Sequence, residues 1–271
     1  MNQELFKNKF HPSWYELLLP FFSTKEADEI FAYLKKTTKA GNTVIPKSQN
    51  TFNSFLATRL DNLKLVIIGG PPDPTIVNGV QVANGINMSC ENTGVITPTL
   101  DYFYYALQNS FSALDIQPNC SLEMFTNQGV LFLNSSLSVE ENNAMAHLKL
   151  QPDEFATPNL WWSFYKYLFE EVLIQYAHVP VILMGKSAID LKSLIPKFNQ
   201  RIFETEHPSV HAKKLNKNWD ADKVFQRAEM AMKKSTGYFV HWGLPRKIYR
   251  TEQDEVDEHM AEILESESLP F

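Results

Sequence analysis

Four short apolar runs, each stopping at glycine or at polar residues, limit this chain to a small set of folds. Leu63 to Pro74 reads LKLVIIGGPPDP, Gly129 to Val139 reads GVLFLNSSLSV, Val179 to Ser187 reads VPVILMGKS, and Arg201 to Ala212 reads RIFETEHPSVHA. A short apolar run without polar alternation suits a strand covered on both faces. Helical stretches are expected between the runs, near Leu100–Ala113, Trp161–Tyr176, Ala188–Ile195 and Ala221–Lys234. Residues 1–60 also read mostly helical, with an N-cap pattern at Ser23-Thr24 opening an amphipathic stretch to Lys36. Strands alternating with helices predict a parallel or mixed sheet covered on both faces.

In such sheets the chemistry collects where the strands end. The Gly-Gly-Pro-Pro after LKLVII marks one such end. The chain has 271 residues, of which 44% are hydrophobic, enough for one large domain. Two cysteines, Cys90 and Cys120, supply neither a disulfide framework nor a four-ligand zinc site. No stretch reaches transmembrane length and no secretory h-region opens the chain. A reducing compartment is expected: the cytoplasm, or the nucleus in a eukaryotic host, and not the exterior.

The net charge of −6 conceals an asymmetry. Thr251 to Phe271 holds eight acidic residues and no Lys or Arg. Without that tail the body carries slightly more basic than acidic side chains. Basic residues gather late in it, from Lys192 through Lys213, Lys214 and Lys217 to Arg250. Such a surface is either an ordinary solvated face or one that meets phosphates.

Over roughly residues 10–240 these segments, taken in order, resemble the uracil-DNA glycosylase family. The resemblance implies a three-layer α/β/α sandwich with a central four-stranded, mainly parallel sheet. It places one domain over residues 1–250 and an acidic tail over 251–271. Enzymes that act on a base must take it out of the stack and hold it in a pocket. Asn134 ends GVLFLN as the family's base-reading asparagine does, and an amide can both donate and accept along a pyrimidine edge. His207-Pro208-Ser209 resembles the motif whose neutral histidine stabilises the departing base and whose serine meets a phosphate. In QVANGINMS, Met88 takes the place of the family's stacking aromatic, and Gly70 completes the expected base-contacting set with Asn134 and Met88. Thr99, in Thr97-Pro98-Thr99-Leu100, and Ser187, in Gly185-Lys186-Ser187, match phosphate-contacting loops. Gly185-Lys186-Ser187 also mimics a nucleotide P-loop, but Pro180 stands where that motif needs glycine. The duplex-probing residue aligns with His211, with Val210 sharing the role, and Lys213 and Lys214 follow to hold the strand.

The likeness breaks after Gly69. The family has Gly, Gln, Asp, Pro, Tyr, His there, in which the aspartate orients water and the tyrosine excludes thymine. Without gaps this chain offers Gly70, Pro71, Pro72, Asp73 and Pro74, and the acid is lost. The segment from Gly69 to Gly85 is about four residues longer than usual, so a shifted register sets Asp73-Pro74 on the family's Asp-Pro with Thr75 at the gate. Both registers lack a tyrosine, and a pocket open at the pyrimidine 5-position is expected.

Three readings follow. The first is a divergent glycosylase, with Asp73 and His207 catalytic, acting on uracil or a 5-modified pyrimidine in single- or double-stranded DNA. The second is an inactive homologue that binds DNA or a replication partner. The third flips a base for other chemistry. The tail ends Ser268-Leu269-Pro270-Phe271, which resembles the tips of single-strand-binding proteins and part of a sliding-clamp-binding peptide. A flexible tail without a partner is the plainer alternative. A monomer is expected, with no metal or organic cofactor.

Overall fold

The computed structural model describes residue 6, residues 8–197 and residues 201–245. The acidic tail and its Ser-Leu-Pro-Phe tip lie outside the described residues.

Each of the four apolar runs forms a strand: β1 (Leu65–Gly69), β2 (Val130–Asn134), β3 (Val181–Met184) and β4 (Ile202–Thr205). They make one four-stranded sheet in the order β2-β1-β3-β4. Every pairing in it is parallel, with Ile68 opposite both Leu133 and Leu183, Gly69 opposite Asn134, and Met184 opposite Thr205. The expected sheet is therefore present, and the registers bring all four strand ends to one edge.

Alternation along the strands divides the core in two. Val66, Ile68, Leu131, Leu133, Val181 and Leu183 point into a cluster with Trp14, Phe22, Phe52, Phe55, Trp161 and Phe164. Leu65, Ile67, Val130, Phe132, Ile182 and Met184 point the other way, onto Leu100, Phe103, Phe225 and Trp242. Both sheet faces are thus buried, which is why no polar alternation shows in β1 to β3.

Helix α1 (Lys25–Lys39) covers the first face, and α2 (Pro98–Ser110) and α4 (Val224–Thr236) the second; α3 (Pro208–Lys214) follows β4. Thr24 caps α1, its hydroxyl accepting from the Ala27 N–H at 3.2 Å, with Glu26 and Asp28 in the first turn and Lys36 and Lys39 in the last. These charges complement the helix dipole. Two expected helices are less regular. Residues 161–176 divide into an α-helix (Trp162–Tyr167), a π-helical turn (Leu168–Val172) and a 3-10 turn (Leu173–Tyr176), burying Leu168, Phe169, Val172 and Leu173. The stretch near Ala188–Ile195 is two short turns, Lys186–Ile189 and Asp190–Leu194. Among the described residues no helix is long and apolar enough to cross a membrane.

Candidate active site

The loops that leave the four strand ends surround a cavity of about 890 Å³. Gly70 to Pro74 come from the loop after β1, Asn134 from the end of β2, Gly185 to Ser187 from the turn after β3, and His207 and Ser209 from the turn after β4. Val82 and residues 86–89 form another wall, with Met88 half-buried in a left-handed conformation, φ 65°. Ala144, Met145, Leu148, Pro158 and Trp162 add an apolar wall. Two hydrogen bonds tie that wall to the strand ends: Asn142 N–H to the Pro74 carbonyl at 3.0 Å, and Asn159 Nδ2 to the Ser135 carbonyl at 2.9 Å.

His207 caps α3, and its ring is held from behind. The Ser209 N–H donates to Nδ1 at 3.3 Å, and the Ser209 hydroxyl lies 2.8 Å from the same atom. A backbone N–H can only donate, so Nδ1 is the acceptor and the proton of the neutral ring sits on Nε2. Nε2 is buried, has no hydrogen-bond partner among the described residues and rests against Gly70, where a Cβ would stand 3.0 Å from it. A side chain at position 70 would push the imidazole away. An unanswered buried donor is costly, and here it lies on the cavity wall. Burial lowers the His207 pKa to about 4, so the ring is neutral at physiological pH.

Asn134 is buried at the end of β2, its carbonyl accepting from the Tyr165 hydroxyl and its side-chain Oδ1 accepting from Asn87 Nδ2 at 2.8 Å. Asp73 lines the cavity beside three prolines and accepts the Thr75 N–H at 3.0 Å through Oδ1, closing a turn on its own side chain. Oδ2 has no partner among the described residues.

No protein-family model matches the chain. It is 27% identical over 239 residues to the uracil-DNA glycosylase of Azotobacter vinelandii, covering 88% of this chain and 96% of that one. It is 28% identical over 197 residues to that of Francisella philomiragia, covering 73% and 84%. Over most of its length the chain is similar to uracil-DNA glycosylases. Its fold is also that of the mimivirus uracil-DNA glycosylase, with a TM-score of 0.73, 19% identity and 90% of each chain covered.

Of the positions expected from the likeness to uracil-DNA glycosylases, Gly70, Asp73, Met88, Thr99, Asn134, Ser187, His207, Ser209 and Lys213 all line this one cavity. Thr99 lies in the first turn of α2, which Thr97 caps through the Leu100 N–H at 3.3 Å. Ser187 accepts from the Ser135 hydroxyl at 3.0 Å. The Ser209 hydroxyl lies 2.8 Å from His207 Nδ1 and also reaches the cavity wall. Lys213 has no carboxylate partner among the described residues, whereas Lys214 lies 3.8 Å from Glu206.

His211 corrects an expectation. It is 4% exposed, stacks on Trp219 with ring centroids 4.1 Å apart and planes 6° apart, and sets Nε2 2.9 Å from Glu206. A ring clamped in this way does not probe a duplex. The helical geometry of α3 turns position 211 inward, and Val210 is only half-exposed. The exposed apolar residue is Leu215, 77% accessible at the left-handed C-cap of α3. The sequence gives no local signal for two further lining residues, Asn87 and Trp162.

A second histidine is fully enclosed. His147 Nδ1 lies 2.9 Å from the Ser138 hydroxyl, which accepts from Trp161 Nε1 at 2.8 Å, and burial lowers its pKa to about 4. In the unfolded chain both histidines take up protons near pH 6.5. The native state therefore binds fewer protons between about pH 6.5 and 4, and stability falls as pH drops through that window, by at most roughly 3 kcal/mol for His147. Urea unfolding at pH 7 and pH 4.5 should show this loss, and His147→Gln should make the dependence shallower. An unchanged slope in that variant would mean that other groups carry it.

Proposed function

We propose that this chain is a DNA glycosylase that hydrolyses the N-glycosidic bond of uracil, or of a pyrimidine substituted at C5, in DNA. One observation carries the reading: an amide reader, an unanswered imidazole donor and a carboxylate from three different strand-end loops share one cavity. In this mechanism the C1′–N1 bond breaks and its electron pair leaves with the base. His207 Nε2–H donates to the base O2 as negative charge gathers there. Asp73 faces the cationic sugar and orients the water whose oxygen bonds to C1′, and the water's proton passes to the carboxylate or the departing base. Preorganised groups of this kind carry much of the rate of such reactions.

A cavity of this size has more room than one pyrimidine ring requires, since sites of about 300–1,000 Å³ hold drug-sized ligands. From the loop after β1 only Gly70, Asp73 and three prolines reach the cavity, which supports tolerance of a C5 substituent. Thr99, Ser187, Ser209 and Lys213 form its phosphate-facing rim. Residues 1–250 act as one monomeric domain, and the acidic tail tethers it to a sliding clamp or another replication protein inside the cell. Leu215 replaces His211 as the side chain that fills the gap left by an extracted base. Leu215→Ala should therefore slow base release from duplex DNA by about tenfold while altering single-stranded release less than threefold, since only the duplex resists extraction by a few kcal/mol. Equal losses on both substrates would remove Leu215 from this role.

The deciding experiment exposes single-stranded and duplex oligonucleotides bearing uracil or 5-substituted uracils to the protein, then cleaves abasic sites with alkali. Strand scission at the modified position is expected. Retained DNA binding without scission on any substrate would leave the non-catalytic homologue as the correct reading.

A further inference from the structure

An amide that reads a base has a weakness: turning it over by half a turn exchanges donor and acceptor at almost no cost in shape. Asn134 alone could therefore greet a 4-oxo pyrimidine or a 4-amino pyrimidine. The surroundings of Asn134 remove that freedom. Asn87 is 2% exposed, and its Nδ2 donates to the Gly70 carbonyl at 3.2 Å and to Asn134 Oδ1 at 2.8 Å. A carbonyl oxygen only accepts, so Asn87 must keep Nδ2 toward Gly70. With that amide fixed, Asn134 must keep Oδ1 toward Asn87, because a turned Asn134 would set two NH₂ groups against each other. Asn134 Nδ2 is left as a donor without a partner among the described residues, on a residue that lines the cavity.

The backbone is built around this pair. The Asn87 N–H reaches the Phe132 carbonyl of β2 at 3.4 Å, and the Gly70 carbonyl also accepts the Ser135 N–H at 3.1 Å. Asn87 Oδ1 is buried, without a partner among the described residues, against Gly69, where a Cβ would stand 2.2 Å from it. Any residue other than glycine at position 69 would expel the carboxamide. The Gly69-Gly70 pair thus serves two neighbours: the first glycine admits Asn87 and the second admits His207.

We propose that Asn87 is a specificity-determining positioning residue: through the relay from Gly70 to Asn87 to Asn134 it holds the reader with its donor toward the base, restricting the pocket to pyrimidines with a carbonyl at C4. This rests on Asn134 being the base reader, but not on bond cleavage. Cytosine and its 5-substituted forms present an amino group to that donor and are refused. Uracil and its 5-substituted forms present an acceptor and are admitted.

The test measures binding to single-stranded oligonucleotides carrying 2′-fluoro-2′-deoxyuridine or 2′-fluoro-2′-deoxycytidine, which resist hydrolysis, by fluorescence anisotropy. The unaltered protein should prefer the uracil probe by roughly tenfold or more, the size of one mismatched buried hydrogen bond. In Asn87→Ala and in the similarly sized Asn87→Leu, the preference should shrink to within about threefold, with affinity for the cytosine probe rising. Mere structural damage would lower affinity for both probes and leave their ratio in place, and that result overturns the proposal. So does a protein without preference at the outset. Thermal unfolding identifies which variant is folded, and either one suffices. Base release is read separately: preference without release removes the glycosylase reading and keeps the role of Asn87, while release with an unaltered preference in the variants does the reverse.

Discussion

Asp73→Asn is expected to lower single-turnover release of uracil by about 10³-fold or more while changing affinity for a non-hydrolysable uracil oligonucleotide less than threefold. The substitution keeps the local structure. Asparagine Oδ1 can still accept the Thr75 N–H, the bond that closes the turn, and the flanking Pro72 and Pro74 hold the backbone. What disappears is the negative charge. A cationic sugar gains most from a carboxylate when water is scarce, because the interaction weakens in proportion to the local dielectric constant. The neutral amide also cannot take the proton of the attacking water. An effect confined to the rate, with binding retained, is the mark of a group that acts in the transition state. A variant with rates within tenfold of the original would show that the rebuilt loop has lost its catalytic part.

His207→Ala should cost about 10²- to 10³-fold in the same rate, as removal of one preorganised donor does elsewhere. It should also have an opposite effect on stability below about pH 6.5. The native ring resists protonation until about pH 4, so its removal eliminates part of the acid penalty, and the variant should lose less stability than the parent between pH 7 and 4.5. Rate measurements and urea titrations on the same sample separate the two outcomes. A variant that is slower but equally acid-sensitive would place the ring in a wetter setting than its contacts with Gly70 and Ser209 indicate.

Much of this architecture was legible in the linear chain because burial leaves a plain signal. LVIIG, VLFLN and VILM are covered on both faces, and their abrupt ends at Gly69-Gly70, Asn134 and Gly185 mark the edge that carries the site. His207 and Asn134 could be placed because Asn134 closes a strand and His207 stands two residues beyond one. His211 could not, since its burial depends on a stack with Trp219, a residue on a different segment. Asn87 was also beyond local reading. Its importance comes from where its carboxamide meets Gly70 and Asn134, and those contacts exist only once β1 and β2 are paired. The loop after β1 shows the limit differently: two registers fit the letters Pro-Pro-Asp-Pro equally well, and only the folded path sets Asp73 beside the cavity.

The strand that ends at Asn134 and the strand that precedes His207 are the two edges of the sheet, each paired on one side only, β2 with β1 and β4 with β3. β4 is the last of the four strands to be synthesised, so it completes a site whose β1 and β2 walls were made more than sixty residues earlier. Parallel pairings between distant segments form slowly. The order of synthesis then separates two walls of the cavity: in a nascent chain Asn134 can be framed by β1 and β2 before His207 has been made.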